Sequence, residues 1–495
     1  MTASGATPSG PRLYGNWRPE RGWGIGSLGT GQTITAFLAV LTPLLSAYLA
    51  PVALLPLSGV SVLVIALLVV RVAGFTAGEV ITRRFRFHAG RARGWTVLSG
   101  GVLVDHPRGE DLPGVLAPLV PLDVDDARGG RQCLVWDRRS GTVSSILRCA
   151  PVGLDLADRE QADLWVACWG AWLADLGYQP LVRHVTVTVD TAPTGGTTIG
   201  DYVARHLDSQ APRLAARVMR ELVELTPSSA AEVDARVTIT LDPHRANPRP
   251  TDLLGAVTEV SRWLPGLENG LASCGVAVLG RAGTAWLTRR IRAAFDPEAR
   301  GELARTDDKQ QLLHWAEAGP VVADEAWDCY QHDAGTSVTW ALREAPRQAV
   351  AARVLTPLLS PGNFPRRVTL LYQPYPADQA ASRVEREVTG GQIRRAWAVR
   401  TKRDETQREQ DDRVRAVQAA QEEAQGAGVG QVTIYVTTTV THPADLPAAV
   451  ADVEQRGGQA KLRLRRMRGA QAAGFAACLG VGVNPAELAS RRSGR

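Results

Sequence analysis

Hydrophobic and polar positions change rhythm along this chain, and each rhythm predicts a different kind of element. From Gly22 through Val70, about 49 positions pass without an Asp, Glu, Lys or Arg. That is more than twice the roughly 20 residues a helix needs to cross a bilayer. Pro51 and Pro56 divide the run. The parse is one span over 33 to 49 or 52 and another over 57 to 72 or 73, joined by a tight uncharged turn. Further on, apolar runs at 133–136 and 143–147 flank the turn residues Ser140 and Gly141 and predict a hairpin. Asp155 or Asp158 then caps a helix whose Leu164, Ala167, Cys168, Ala171 and Trp172 recur at helical spacing up to Gly177. Residues 181–189, LVRHVTVTV, alternate with a period of two and predict a strand.

The same grammar continues with helices over 199–225, 250–264 and 284–295, and strands over 235–241 and 275–279. A less readable stretch follows, then strands at 337–342 and 367–372 with a helical segment at 346–359 between them. Residues 377–425 are polar, charged and Ala-rich and predict a solvated helical arm, interrupted at Gly390 and Gly391. A strand at 431–440, a helix at 446–455, a strand at 461–468 and a short helix at 470–479 complete the pattern. The prolines of 112–124 predict an extended or turn-rich lead-in.

These elements predict an α+β chain with a transmembrane hairpin of two helices, followed by a cytoplasmic mixed α/β region of two strand-helix-strand lobes. The expected organisation is a cytoplasmic N-terminal tail (1–30), the hairpin (31–75) and a basic juxtamembrane linker with its lead-in (76–125). A first lobe (126–282), a second lobe carrying the arm (283–485) and a tail (486–495) follow.

Charge sets the orientation. Arg12, Arg18 and Arg21 precede the first span, while Arg71, Arg83, Arg84, Arg86, Arg91 and Arg93 follow the second, so both termini are expected on the cytoplasmic side of the inner membrane. A signal peptide, with an apolar core of about 7 to 15 residues, is too short to account for this region. Over 495 residues the net charge is +6, and the juxtamembrane arginines account for much of it without invoking nucleic acid. The chain has room for a membrane module and more than one soluble lobe. Its six cysteines form no CxxC or Cys/His pairing; Cys133 and Cys149 flank the first hairpin turn, close enough to face each other, and a cytoplasmic setting keeps them reduced.

Catalytic signatures are sparse. The three lysines, Lys309, Lys402 and Lys461, lack the glycine before and the hydroxyl after that a phosphate-cradling loop requires. GxGxxG after a strand, GxSxG and HExxH are missing too. Asp123, Asp125 and Asp126 form a DxD-like pattern suited to a divalent ion, but the following Gly129 and Gly130 favour an acidic surface turn. His314, Asp324, Glu325, Asp328, His332 and Asp333 lie close in sequence without a metal-ligand spacing. Lys461, Arg463, Arg465, Arg466 and Arg468 make a basic comb suited to a partner or to lipid head groups. No catalytic, cofactor or metal residues are assigned.

The hairpin and basic linker are similar to the small PrgI-type membrane proteins of conjugative transfer systems. The soluble region resembles the N-terminal, non-ATPase domain of TraC-class conjugation ATPases, most tellingly at 461–484, KLRLRRMRGAQAAGFAACLGVGVN. There a strand passes through a Gln-containing helix, although Leu479-Gly480-Val481-Gly482 stands in place of the family's proline-containing ending. WGAWLADLG (169–177), AWDCYQH (326–332), SVTWALREAP (337–346) and RVTLLYQPY (367–375) extend the resemblance to an actinobacterial membrane-protein family in which both modules are fused. The resemblance implies a noncatalytic membrane component of a type IV secretion-like or conjugation apparatus. Its partners would be a separate cytoplasmic ATPase, other channel components, membrane lipid and neighbouring copies of itself. EccE of type VII secretion has a similar layout, and a membrane-anchored glycosyltransferase is the third reading.

Overall fold

A computed structural model of the chain describes residues 14–15, 30–49, 52, 54–72, 74–100, 111–126, 128–151, 153, 157–193, 203, 207–208, 210–225, 231–304, 313–346, 348–376, 379–380, 382 and 428–493. Two compact units divide it: Met1–Asn16, Leu98–Val384 and Ala419–Arg495 form one, and Trp17–Val97 with Glu385–Gln418 the other. Most of the arm expected over 377–425, the arginines before the first span and most of 199–212 lie outside the described residues.

The smaller unit opens with two apolar helices, α1 (Thr30–Leu49) and α2 (Leu54–Val69). α1 is long and apolar enough to cross a bilayer; α2, at 16 residues, is a shorter apolar helix. Pro56 falls inside α2 and not before it, as the parse had expected. It is the third helical residue, in the first turn, where the N–H has no intrahelical acceptor to lose. Two short strands, β1 (Arg71–Val72) and β2 (Phe75–Thr76), pair antiparallel and lead into α3 (Ala77–Ala92). The segment expected as a linker is therefore a helix at its start. Its signal is a capping box: Thr76 accepts from the Glu79 N–H, and the Glu79 carboxylate accepts from the Thr76 N–H.

In the larger unit one sheet of thirteen strands carries everything else. Its elements in order are β3 (Val97–Ser99), β4 (Leu119–Asp125), β5 (Arg131–Asp137), β6 (Val143–Pro151), α4 (Arg159–Asp175), β7 (Val182–Pro193), α5 (Arg213–Leu225) and β8 (Ala231–Leu241). Then come α6 (Leu253–Ala272), β9 (Val276–Arg281), α7 (Thr284–Phe295), α8 (Arg300–Ala304), β10 (Val322–Glu325), β11 (Tyr330–His332) and β12 (Gly335–Glu344). The last are α9 (Thr356–Leu359), β13 (Arg366–Pro374), β14 (Gly430–Val440), α10 (Leu446–Gln459), β15 (Arg463–Arg466), α11 (Gln471–Ala477) and α12 (Pro485–Ser493).

The two expected lobes are halves of this one sheet, and they repeat each other. In the first, β6-α4-β7-β8-α6-β9 gives the spatial order β9-β6-β8-β7; in the second, β12-α9-β13-β14-α10-β15 gives β15-β12-β14-β13. Each is a split β-α-β-β-α-β unit with a leading hairpin, β4-β5 or β10-β11, added on. The halves join where β7 and β13 run antiparallel, from Thr191 opposite Arg366 to Val185 opposite Tyr372. A local two-fold axis thus passes near Thr188 and Thr369, whose hydroxyls bond at 2.9 Å.

One face of the sheet is apolar. Val185, Val237, Ile239 and Leu241 pack against Val257, Val260, Leu264, Leu267 and Leu271 of α6, and Val338, Trp340, Val368 and Val436 pack against α9 and α10. That pull continues α6 past Pro265, where the sequence pattern had predicted its end near residue 264. The other face holds Thr186, Thr188, Thr238, Thr240, Thr339, Thr369 and Thr437, all buried. Several hydroxyls of this face bond across the sheet, as in Ser144–Thr240 (2.9 Å), Ser337–Thr439 (2.8 Å) and Thr339–Thr437 (2.7 Å).

α7, α11 and the segment after α11 cover this polar face. Leu479 O accepts from Arg236, Gly480 O from Thr238 and Gly482 O from His184 Nε2. Gly482 has a φ of +86°, and a β-carbon there would collide with the Ser144 hydroxyl, so only glycine lets the strap lie flat on the sheet.

Several expectations change. Residues 119–125 of the proline-rich lead-in are extended, as expected, but are paired as β4, which tolerates Pro121 because, among the described residues, this strand pairs only with β5. The helical segment expected over 346–359 is reduced to a 3-10 turn (Ala352–Leu355) and α9. The less readable stretch contains β10 and β11, and the expected tail contains α12. Cys133 and Cys149 are not opposite each other: the β5–β6 register sets Leu134 against Ser145, while Cys149 faces Ala235, and all six cysteines are free.

Candidate functional site

The membrane-facing candidates come first because their geometry is unusual for a packed protein. Only 6% of the apolar window of α1 is buried, and Phe37, Leu44 and Leu49 are exposed, as are Leu55, Val62 and Val69 of α2. Thr35, Thr42 and Ser46 of α1 and Ser58 of α2 donate their hydroxyls to carbonyls of their own helices, so these hydroxyls need no water. Gln32 donates to Glu79 at 3.0 Å and thereby ties the start of α1 to the start of α3.

α3 carries Arg83, Arg84, Arg86 and Arg91 with the exposed Ile81 and Phe85, and Arg93 follows at its C-terminal end. The guanidinium of Arg83 sits 3.7 Å from the centre of the Phe75 ring, and that of Arg93 lies 5.1 Å from Trp95. Arg71 is in β1. All six arginines assigned to topology therefore lie on the exposed surface of one short segment. An exposed mixture of arginine and large apolar side chains on one helix is suited to the interfacial zone of a bilayer.

The basic comb is placed at a sheet margin. Lys461, at a φ of 57°, leads into β15, which pairs with β12. Three of its arginines meet carboxylates: Arg463 with Glu344 (3.6 Å), Arg466 with Glu454 (2.8 Å) and Arg468 with Asp328 (2.7 Å). Arg465 lies opposite Ala341 in the register. Such surface pairs contribute between about 0 and 1 kcal/mol. Arg463→Ala and Arg468→Ala are thus expected to change unfolding stability by less than about 0.5 kcal/mol, measured by denaturant titration. Any partner binding they weaken then reports the contact and not the fold.

The two acidic constellations have structural employment. Asp126 accepts the backbone N–H groups of Arg128 (2.7 Å) and Gly130 (2.8 Å), which shapes the β4–β5 turn and holds its carboxyl below the usual range. Asp123 pairs with Arg131 at 2.9 Å, and Asp125 faces Arg131 across the same hairpin. In the second group, the His314 backbone N–H donates to the Glu317 carboxylate, and Asp333 accepts from the Val321 and Val322 N–H groups and pairs with Arg292. Asp328 pairs with Arg468, and Glu325 caps the Ala472 N–H, with burial raising its carboxyl. Asp324 lies in β10 beside Glu325. His332 is buried, donating from Nδ1 to Phe295 O and accepting from the Ser337 hydroxyl on Nε2. Among the described residues, no group of three or more His, Cys, Asp or Glu side chains is arranged to hold a metal ion.

No family model matches the chain, and no curated protein matches it. Sequence reasoning missed α3, whose T-x-x-E start was readable, and the buried polar face, whose threonines carry the alternation of a half-exposed strand.

Proposed function

We propose that the chain is an integral protein of the inner membrane, with α1 and α2 as a transmembrane hairpin and both termini cytoplasmic. The observation that supports this reading is the exposure of apolar side chains along both helices, followed after the short β1–β2 pair by a capped helix rich in arginine. Positively charged residues beside a span favour the cytoplasmic side, and Arg71 with the arginines of α3 supplies them after α2.

On this reading the larger unit is a noncatalytic docking platform in a type IV secretion-like or conjugation apparatus, holding a separate cytoplasmic ATPase at the membrane. Support comes from the resemblance over 461–484, which spans β15, α11 and the strap across the sheet. An EccE-like role in type VII secretion shares the same layout and makes a different prediction about partners.

Membranes washed with alkaline carbonate are expected to retain the full chain, and a release into the supernatant would sink the hairpin. Mild detergent extraction followed by affinity purification and mass spectrometry is expected to recover a conjugation-type ATPase. Recovery of type VII core components would favour the EccE-like role.

A further inference from the structure

Where the two halves of the sheet meet, the buried polar face ends in a cavity of about 260 Å³. Asp190, Glu232, Arg300, Arg367, Thr439 and Thr441 contribute to its lining. These residues come from β7, β8, α8, β13 and β14 with its following residue, so both halves of the duplicated fold contribute.

The charges around the cavity do not cancel. Asp190, Glu232, Asp234 and Asp452 supply four carboxylates; Arg236, Arg290, Arg300, Arg366 and Arg367 supply five guanidinium groups, Arg366 pairing with Asp452 at 2.9 Å. Arg236 pairs with Asp234 (2.5 Å) and Arg290 with Glu232 (2.6 Å). Arg300 bonds both Glu232 and Asp190, with Nε 3.1 Å from Glu232 and Nη1 and Nη2 each 3.3 Å from Asp190 Oδ1, which leaves Asp190 Oδ2 toward Arg367. Arg367 is left with long contacts only: Nε lies 4.0 Å from Asp190, Nη2 lies 3.5 Å from the Thr439 hydroxyl, and the Phe475 ring is 4.6 Å away. Its Nη1 is buried without a hydrogen-bond partner, and the residue is only 4% exposed.

Electrostatics draw the same contrast. Burial opposes the charge on Arg300, but Asp190 and Glu232 outweigh it, so this arginine holds its proton more tightly than usual. On Arg367 burial prevails over Asp190, and the guanidinium holds its proton less tightly than usual. A buried cation without compensation costs several kcal/mol, and an anion that accepts its free N–H groups removes that cost. Tetrahedral oxyanions suit a planar guanidinium with adjacent donors, and hydroxyls such as those of Thr439 and Thr441 are common partners for them. The volume lies below the roughly 300 Å³ at which pockets for drug-sized ligands begin, which argues against a nucleotide.

We propose that this cavity binds one phosphate-sized oxyanion, held by the free side of Arg367 with Thr439 and Thr441. The ligand class is inorganic phosphate or the phosphoryl end of a small phosphomonoester.

The test uses the full chain in nanodiscs at constant ionic strength, titrated separately with inorganic phosphate and with glycerol phosphate. Binding is read by isothermal calorimetry and by the midpoint of thermal unfolding. The wild-type chain is expected to show a saturable upward shift with at least one titrant; the one that saturates at lower concentration identifies the source of the phosphoryl group. Arg367→Met is expected to bind at least about 10-fold more weakly, the factor for losing one charge-assisted hydrogen bond. In buffer without oxyanions this variant is expected to fold, because Asp190 keeps Arg300 as its nearer partner. If Arg367→Met fails to fold, Thr441→Val decides by the same titration, with a weakening of several-fold expected. A wild-type chain with no saturable response overturns the proposal, and so does an equal response in the variant that folds, since phosphate at high concentration stabilises proteins without a site.

Discussion

Replacing Phe475 by alanine is expected to destabilise the larger unit by about 3 to 5 kcal/mol, the range for removing a large aromatic side chain from a core. Phe475 is 1% exposed and lies at the centre of an aromatic cluster. Its ring centre is 4.9 Å from Phe295, 4.8 Å from His332 and 5.5 Å from Tyr330, while Arg367 stacks over it. These neighbours come from α7, β11 and β13, so the lost contacts fasten α11 to three separate elements. Urea titration of wild type and variant, followed by tryptophan fluorescence, measures the difference. A loss below about 1.5 kcal/mol would mean that the surrounding side chains collapse into the space, and that α11 is held chiefly by its polar contacts. Gln471 is the principal such contact, accepting the Thr339 N–H at 2.7 Å.

Stability is also expected to fall steeply as pH drops from about 6.5 to about 4. His184 and His332 are buried, and burial pushes each down to about 4 from the ordinary 6.5. The sign follows from proton counting: below 6.5 the unfolded chain takes up protons that the folded chain refuses, so acid favours unfolding. The stabilisation is complete above 6.5, declines through the interval and levels off below 4. Each histidine contributes a loss of about 3 kcal/mol at full extent, an order-of-magnitude figure.

His184 has the clearer chemical reason. Its Nε2 donates to Gly482 O at 3.2 Å, and its Nδ1 is buried with no partner, so a second proton would have no acceptor. Asp190 and Glu232, held below their ordinary values despite burial because arginines outweigh it, extend the loss to lower pH. Unfolding midpoints across pH 4 to 7 for wild type and His184→Gln test this. The variant should show a shallower slope, and an unchanged slope would remove His184 from the account.

The sequence disclosed elements whose burial pattern follows one period. α7 was expected over 284–295 and is Thr284–Phe295, and β14 was expected over 431–440 and is Gly430–Val440. Legibility failed where two demands overlap on one residue. In β7 and β8 the alternation shows a strand but not that its threonine face is covered, because alternation of valine and threonine normally marks a sheet with one wet face. Here α7, α11 and the strap cover that face, and most of the hydroxyls bond to neighbours on adjacent strands or, as Thr238 does, to the strap. Short strands such as β11, three residues long, carry too few positions to display a period at all. The basic comb was legible as a strand, but the carboxylates that meet it come from Glu344, Glu454 and Asp328, which no local pattern connects to it.

The tandem repeat also changes what the molecule can evolve. A dimer of identical chains must present the same residues at both of its symmetry-related positions. Here β7 ends at Pro193 and β13 at Pro374, and because these strands run antiparallel across the junction, the two points lie at opposite ends of the sheet. From each, the chain departs for a long insertion before returning in β8 at Ala231 or β14 at Gly430. Because both halves belong to one chain, these equivalent departure points need not be identical, and each insertion is free to carry its own sequence without altering the other.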